Sequence, residues 1–203
     1  FNPSFFYADG DTFSWIDADW DGSFTPGLDC VDLNRNGSND PNETLGFLDG
    51  LIYDPALVWG TGYPSNSGNG YQTYWDWLYN DANYNFKRDY GPAAGYTESS
   101  PSFGEQAFTA IDADDDGALD IGEKIVALKT SKIYATMTAG AVERRRGVDI
   151  IRSEADVNGH GTAVSGILAG GTAGRSLFTG IAPDAEILMG YFFSNNPISA
   201  LIP

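Results

Sequence analysis

Twelve consecutive residues, D-A-D-D-D-G-A-L-D-I-G-E from Asp112 to Glu123, limit what this chain can fold into more than any other stretch. Carboxylates this dense repel one another, and a cation among them would turn that repulsion into a reason to fold. Counted from Asp112, side-chain oxygens fall at places 1, 3, 5, 9 and 12, with glycine at place 6. That is the spacing of an EF-hand-type calcium loop. Asp112, Asp114, Asp116 and Asp120, the carbonyl of Ala118 and a bidentate Glu123 would surround the ion, and Gly117 would allow the sharp turn that aims them inward.

A second complete match, D-L-N-R-N-G-S-N-D-P-N-E, offers Asp32, Asn34, Asn36, the Ser38 carbonyl, Asp40 and Glu43. A third stretch begins with Asp17, Asp19 and Asp21 but has Leu28 at the twelfth place; it uses Asp29 instead, or binds nothing. D-A-N-Y-N-F-K-R-D from Asp81 is weaker, with Phe86 in the glycine's place. Solvated Asx turns are the competing explanation, but two complete matches favour calcium. Only three residues separate the Asp17 stretch from Asp32, too few for a helix pair, so structural loops rather than a sensor are expected.

The formal net charge of −17 argues against nucleic acid and against anionic membrane surfaces. No apolar run is long enough to span a membrane, and no signal peptide is visible. The chain starts at Phe1, so processing or excision from something longer is expected. Cys30 is the only cysteine, which excludes an internal disulfide. Residues 1–105 hold 22 of the 28 aromatics and three of the eleven basic residues. They read as a loop-rich region of short strands whose rings supply the core. Residues 106–147 carry a calcium loop and connecting strands, and residues 148–203 form a third segment. Lys124–Tyr134 and Val148–Ile151 are expected as strands, Gly161–Ala169 as a buried helix of small residues, and Ala185–Phe193 as a buried strand. This order is an α/β signature. Arg144–Arg146 reads as a solvated turn.

His160, the only histidine, stands between two glycines in N-G-H-G-T-A-V-S-G-I-L-A-G-G, at the expected start of that helix. The positive end of a helix dipole disfavours imidazolium and keeps the ring able to accept a proton, as a general base must.

The histidine segment resembles that of the subtilisin-like serine proteases, in which H-G-T opens a buried helix ending in glycines. Gly180–Leu188, G-I-A-P-D-A-E-I-L, is similar to the segment that follows it there. The resemblance covers residues 156 to about 193. It implies a parallel-sheet α/β domain, here joined to a large aromatic calcium-binding insertion or N-terminal region. It also implies that His160 is the base that activates a serine, that calcium is structural, that the protein is secreted or at the cell surface, and that the substrate is a protein or peptide. Ala163 and Ser165 depart from the family's usual residues. No G-T-S-M-A-like segment follows, and no convincing oxyanion asparagine, so the serine and asparagine are expected in a further part of the protease. Asp17 and Asp112 lead straight into calcium-type loops and Asp149 falls within an expected strand, so the triad aspartate is expected before Phe1. The alternative is a non-catalytic, calcium-rigidified extracellular surface or assembly module built on a protease scaffold.

Overall fold

The computed structural model describes residues 6–48, 70–73, 76–97, 99–138, 142–146, 160–173, 176 and 179–190. Its main body is a six-stranded antiparallel sheet in the order β2-β1-β6-β5-β4-β3. The strands are β1 (Phe6–Ile16), β2 (Cys30–Val31), β3 (Leu45–Leu48), β4 (Trp77–Asn80), β5 (Ala107–Ile111) and β6 (Lys124–Ser131). The two edge strands also meet. Val31 N donates to the Glu43 carbonyl and Leu45 N to the Asp29 carbonyl, both at 2.8 Å, and Cys30 bridges Thr44. These bonds bring the two edges together, so that the sheet closes on itself as a small barrel.

Alternate side chains of each strand enter two apolar clusters. Leu78, Phe108 and Ala127 belong to one, with Trp15, Phe47 and Leu119; Trp77, Tyr79, Ala107 and Leu128 belong to the other, with Phe6. Rings meet nearly edge-on, as between Phe24 and Tyr71 at 5.5 Å and Phe13 and Phe108 at 6.0 Å. The aromatic residues described here are therefore mostly core, with Trp20 a clear exception at 89% exposed. The sheet runs through the change of composition at residue 106, because β4 pairs with β5 across it.

Lys124–Tyr134 is not one strand. It breaks at Lys132, where the buried side chain leaves the sheet, and β7 (Ile133–Thr138) begins a second sheet. In that sheet β8 (Val142–Arg145) pairs antiparallel with β7, and β9 (Ile187–Gly190) pairs parallel with it. Among the described residues, this is where the expected parallel pairing appears. Arg144 and Arg145 thus lie in a strand rather than a turn, and Arg146 pairs with Glu186 at 2.9 Å.

Helix α1 (His160–Ala169) forms where expected, but not as a buried helix: Val164, Ile167 and Leu168 are exposed. Its close contacts run through small residues and backbone. Gly180 N donates to the Gly170 carbonyl, Ile181 N to that of Ile167 and Ala182 N to that of Leu168. The larger side chains are left outside this contact. Strand β9 is likewise exposed, at Leu188 and Met189, rather than buried. The 148–151 strand lies outside the described residues.

Candidate functional site

Four loops link neighbouring strands of the barrel, and they share one backbone conformation. They run from Asp17 between β1 and β2, from Asp32 between β2 and β3, from Asp81 between β4 and β5, and from Asp112 between β5 and β6. Antiparallel alternation puts the Asp17 and Asp112 loops at one end of the barrel and the other two at the opposite end. In each, the amide at place 6 donates to the first aspartate: Gly22 to Asp17 (2.8 Å), Gly37 to Asp32 (3.1 Å), Phe86 to Asp81 (2.9 Å) and Gly117 to Asp112 (2.8 Å). The amide at place 7 donates to the side chain at place 5, as Ser38 does to Asn36 and Ala118 to Asp116. Place 4 has positive φ in every loop, at Trp20, Arg35, Tyr84 and Asp115, and so does place 6. Phe86 adopts φ 64° where the other loops have glycine, so the weakest of the four matches folds like the strongest.

The closing acids are where sequence spacing falls short. Glu123 bridges its loop by accepting Ala113 N at 2.6 Å and Asp120 N at 2.9 Å, places 2 and 9. In the Asp17 loop, Asp29 does the same for Ala18 N at 2.9 Å and Thr25 N at 2.7 Å, compensating for Leu28. In the Asp81 loop the acid is Glu105, far along the chain, which accepts Ala82 N at 3.0 Å and Asp89 N at 2.8 Å. No spacing rule finds Glu105. What marks it is its place at the entrance of the next strand, shared by Asp29, Glu43 and Glu123.

Carboxylate oxygens converge in two of the loops. Those of Asp17, Asp19 and Asp21 can lie within 4.8 Å of one another, as can those of Asp112, Asp114 and Glu123, and of Asp114, Asp116 and Asp120. In the Asp32 loop, the side-chain amides of Asn34 and Asn36 both donate to Asp40 Oδ2. Glu43 is 3% exposed; its Oε1 accepts Asn34 N, but its Oε2 is buried without a partner. Burial raises the acid ranges of Asp29 and Glu43 and pushes Glu105 up to about 7. Burial and then the carboxylates of Asp116, Asp114 and Asp112 raise that of Asp120. Each is a cost that a nearby cation would remove.

His160 is the first residue of α1. The helix is fixed to the barrel at its other end. Lys132, fully buried, donates through Nζ to the carbonyls of Ala169 (2.9 Å) and Gly171, its ammonium 5.3 Å from the centre of the Tyr7 ring. A cation at a helix C-terminus complements the dipole. Tyr7 Oη donates to the Asp184 carbonyl, and Ala8 N to Thr172 Oγ1. Asp17 and Asp112 both direct their carboxylates into their own loops. Asp149 lies outside the described residues.

With this arrangement in view, the family comparison decides the lineage. The model of the Subtilase family matches residues 80–202, more than half of the chain. The chain belongs to the subtilase family. No curated protein and no solved structure matches it. The subtilase match begins well ahead of the histidine segment, and takes in the Asp81 and Asp112 loops as well as α1 and β9.

Proposed function

We propose that this subtilase chain is the histidine-bearing part of an exported, calcium-stabilised serine endopeptidase, with His160 as general base. The observation that carries this is the family match across residues 80–202, with H-G-T of the histidine motif at the start of α1. His160 would take the proton of a serine hydroxyl as that oxygen attacks the peptide carbonyl. It would then return the proton to the leaving amine, and water would hydrolyse the acyl-enzyme by the same route. The serine, the oxyanion asparagine and the triad aspartate would come from a further part of the protease, and the substrate would be a protein or peptide.

Calcium fits the residues present. Glu43 Oε2 is a buried carboxylate oxygen with no partner, the kind of atom a hard cation satisfies. Side chains at places 1, 3 and 5, the carbonyl at place 7 and the closing acid would hold one ion in each of the four loops. Bound calcium would neutralise the carboxylates that otherwise repel one another across each turn.

The test uses the full-length protease in calcium, labelled with a tagged fluorophosphonate and resolved on a denaturing gel. Labelling of a serine outside these residues, abolished by His160→Ala, is the expected result. A folded, calcium-loaded protein that takes no label would favour the non-catalytic module and overturn the proposal.

A further inference from the structure

The Asp32 loop lies on the seam that closes the barrel. Strand β2 is two residues long, entered directly from Asp29 of one loop and left directly into Asp32 of the next. The seam bonds use loop residues: the carbonyl of Asp29 accepts Leu45 N, and that of Glu43 accepts Val31 N. So short a strand contributes few bonds of its own, and its attachment to β3 depends on how firmly the flanking loops are held. Within the Asp32 loop, Asp32 is fixed to β2 and Glu43 to the entrance of β3. Glu43 Oε2, buried and unpartnered, is the place where that loop lacks an internal hydrogen bond.

We infer that the cation held by the Asp32 loop is the latch of the barrel, joining Asp32 on one side of the seam to Glu43 on the other. When it is stripped, Cys30–Val31 parts from Thr44 while β1, β6, β5 and β4 remain paired. This rests on the calcium binding proposed above and adds to it a defined local opening.

The chain carries its own reporter. Cys30, its only cysteine, lies on the seam at 1% exposure, and its thiol donates to Asn39 Oδ1 of the Asp32 loop at 2.6 Å. Parting of the seam removes both protections together.

The experiment measures the rate at which a disulfide reagent modifies Cys30 in saturating calcium and in chelator. Calorimetry measures calcium binding, and amide exchange follows β5 and β6 in the same samples. With calcium at about 100-fold above its dissociation constant, stripping should accelerate modification about 100-fold, with β5 and β6 still protected. Glu43→Gln should react fast even in calcium, whereas Asp112→Asn, altered at the opposite end of the barrel, should stay protected; should Glu43→Gln not fold, the wild-type rates decide. Calcium binding with an unchanged Cys30 rate overturns the latch and leaves the calcium sites standing. Reactivity gained only together with loss of β5 and β6 protection also overturns it. No measurable binding overturns the calcium sites themselves, and the latch with them.

Discussion

Replacing Glu105 by glutamine separates a metal-closing carboxylate from a structural hydrogen-bonding group. Glu105 is 4% exposed and spans the Asp81 loop through Ala82 N and Asp89 N. Glutamine keeps one acceptor oxygen and turns an NH₂ toward the second amide, at a cost of about 1–3 kcal/mol for the unpaired donor. In chelator that loss is partly offset, because burial already makes the ionised carboxylate unfavourable at neutral pH. The net change there should be within about 1 kcal/mol. In calcium the variant also loses one bound ion, worth about 2.7 kcal/mol at 100 times its dissociation constant. Urea unfolding followed by tryptophan fluorescence, in calcium and in chelator, gives both numbers, and calorimetry should show one ion fewer per chain. Equal destabilisation in the two conditions, with stoichiometry unchanged, would refute a metal role for Glu105.

Three further outcomes follow from close contacts and buried charge. A Cβ at Gly104 would stand 2.4 Å from the Asp89 carbonyl and 2.6 Å from Tyr90 Cβ, so Gly104→Ala should lower the free energy of urea unfolding by about 2 kcal/mol and weaken calcium binding at the Asp81 loop. Gly180→Ala would press a methyl to 2.8 Å from Ala169 N and Leu168 C; amide exchange should show α1 opening more often while β5 and β6 stay protected. Burial lowers the Lys132 ammonium from 10.5 to about 8, so between those pH values the unfolded chain holds a proton that the folded protein has released. Stability lost to charge burial below pH 8 is thus recovered as pH rises to 10.5, by roughly 1–2 kcal/mol after screening. Urea unfolding at both pH values should show this gain in the wild type relative to Lys132→Met.

What the sequence discloses and what it conceals divide along the range of the interactions. An aspartate that accepts the amide five residues on leaves a fixed spacing, and so Asp17, Asp32, Asp81 and Asp112 are legible as loop starts. Phe86 shows the limit of reading place 6 as glycine, since a left-handed phenylalanine costs on the order of 1 kcal/mol and a well-bonded loop can bear it. The barrel itself is not legible: strands such as Cys30–Val31 and Leu45–Leu48 are too short to show a period, and their partners are set by closure. Nor is the exposure of Ile167 and Leu168, because a helix that packs through glycines and its own carbonyls gives its large residues no say in which face is covered.

The closing acids join these two ranges. Asp29 and Glu105 stand farther from their loop starts than Glu43 and Glu123 do, yet each of the four lies at the entrance of the strand that pairs with the one just left. The calcium proposed between a loop's first aspartate and its closing acid would therefore tie together two neighbouring strands, whatever the length of chain between them. Spacing alone finds the complete twelve-residue loops, while the rule of an acid at the next strand's entrance finds all four. That rule also bears on how a chain of net charge −17 closes a barrel of such short strands: its densest negative charge is placed where the hairpins turn, where the proposed calcium would neutralise it and fasten the hairpins at both ends.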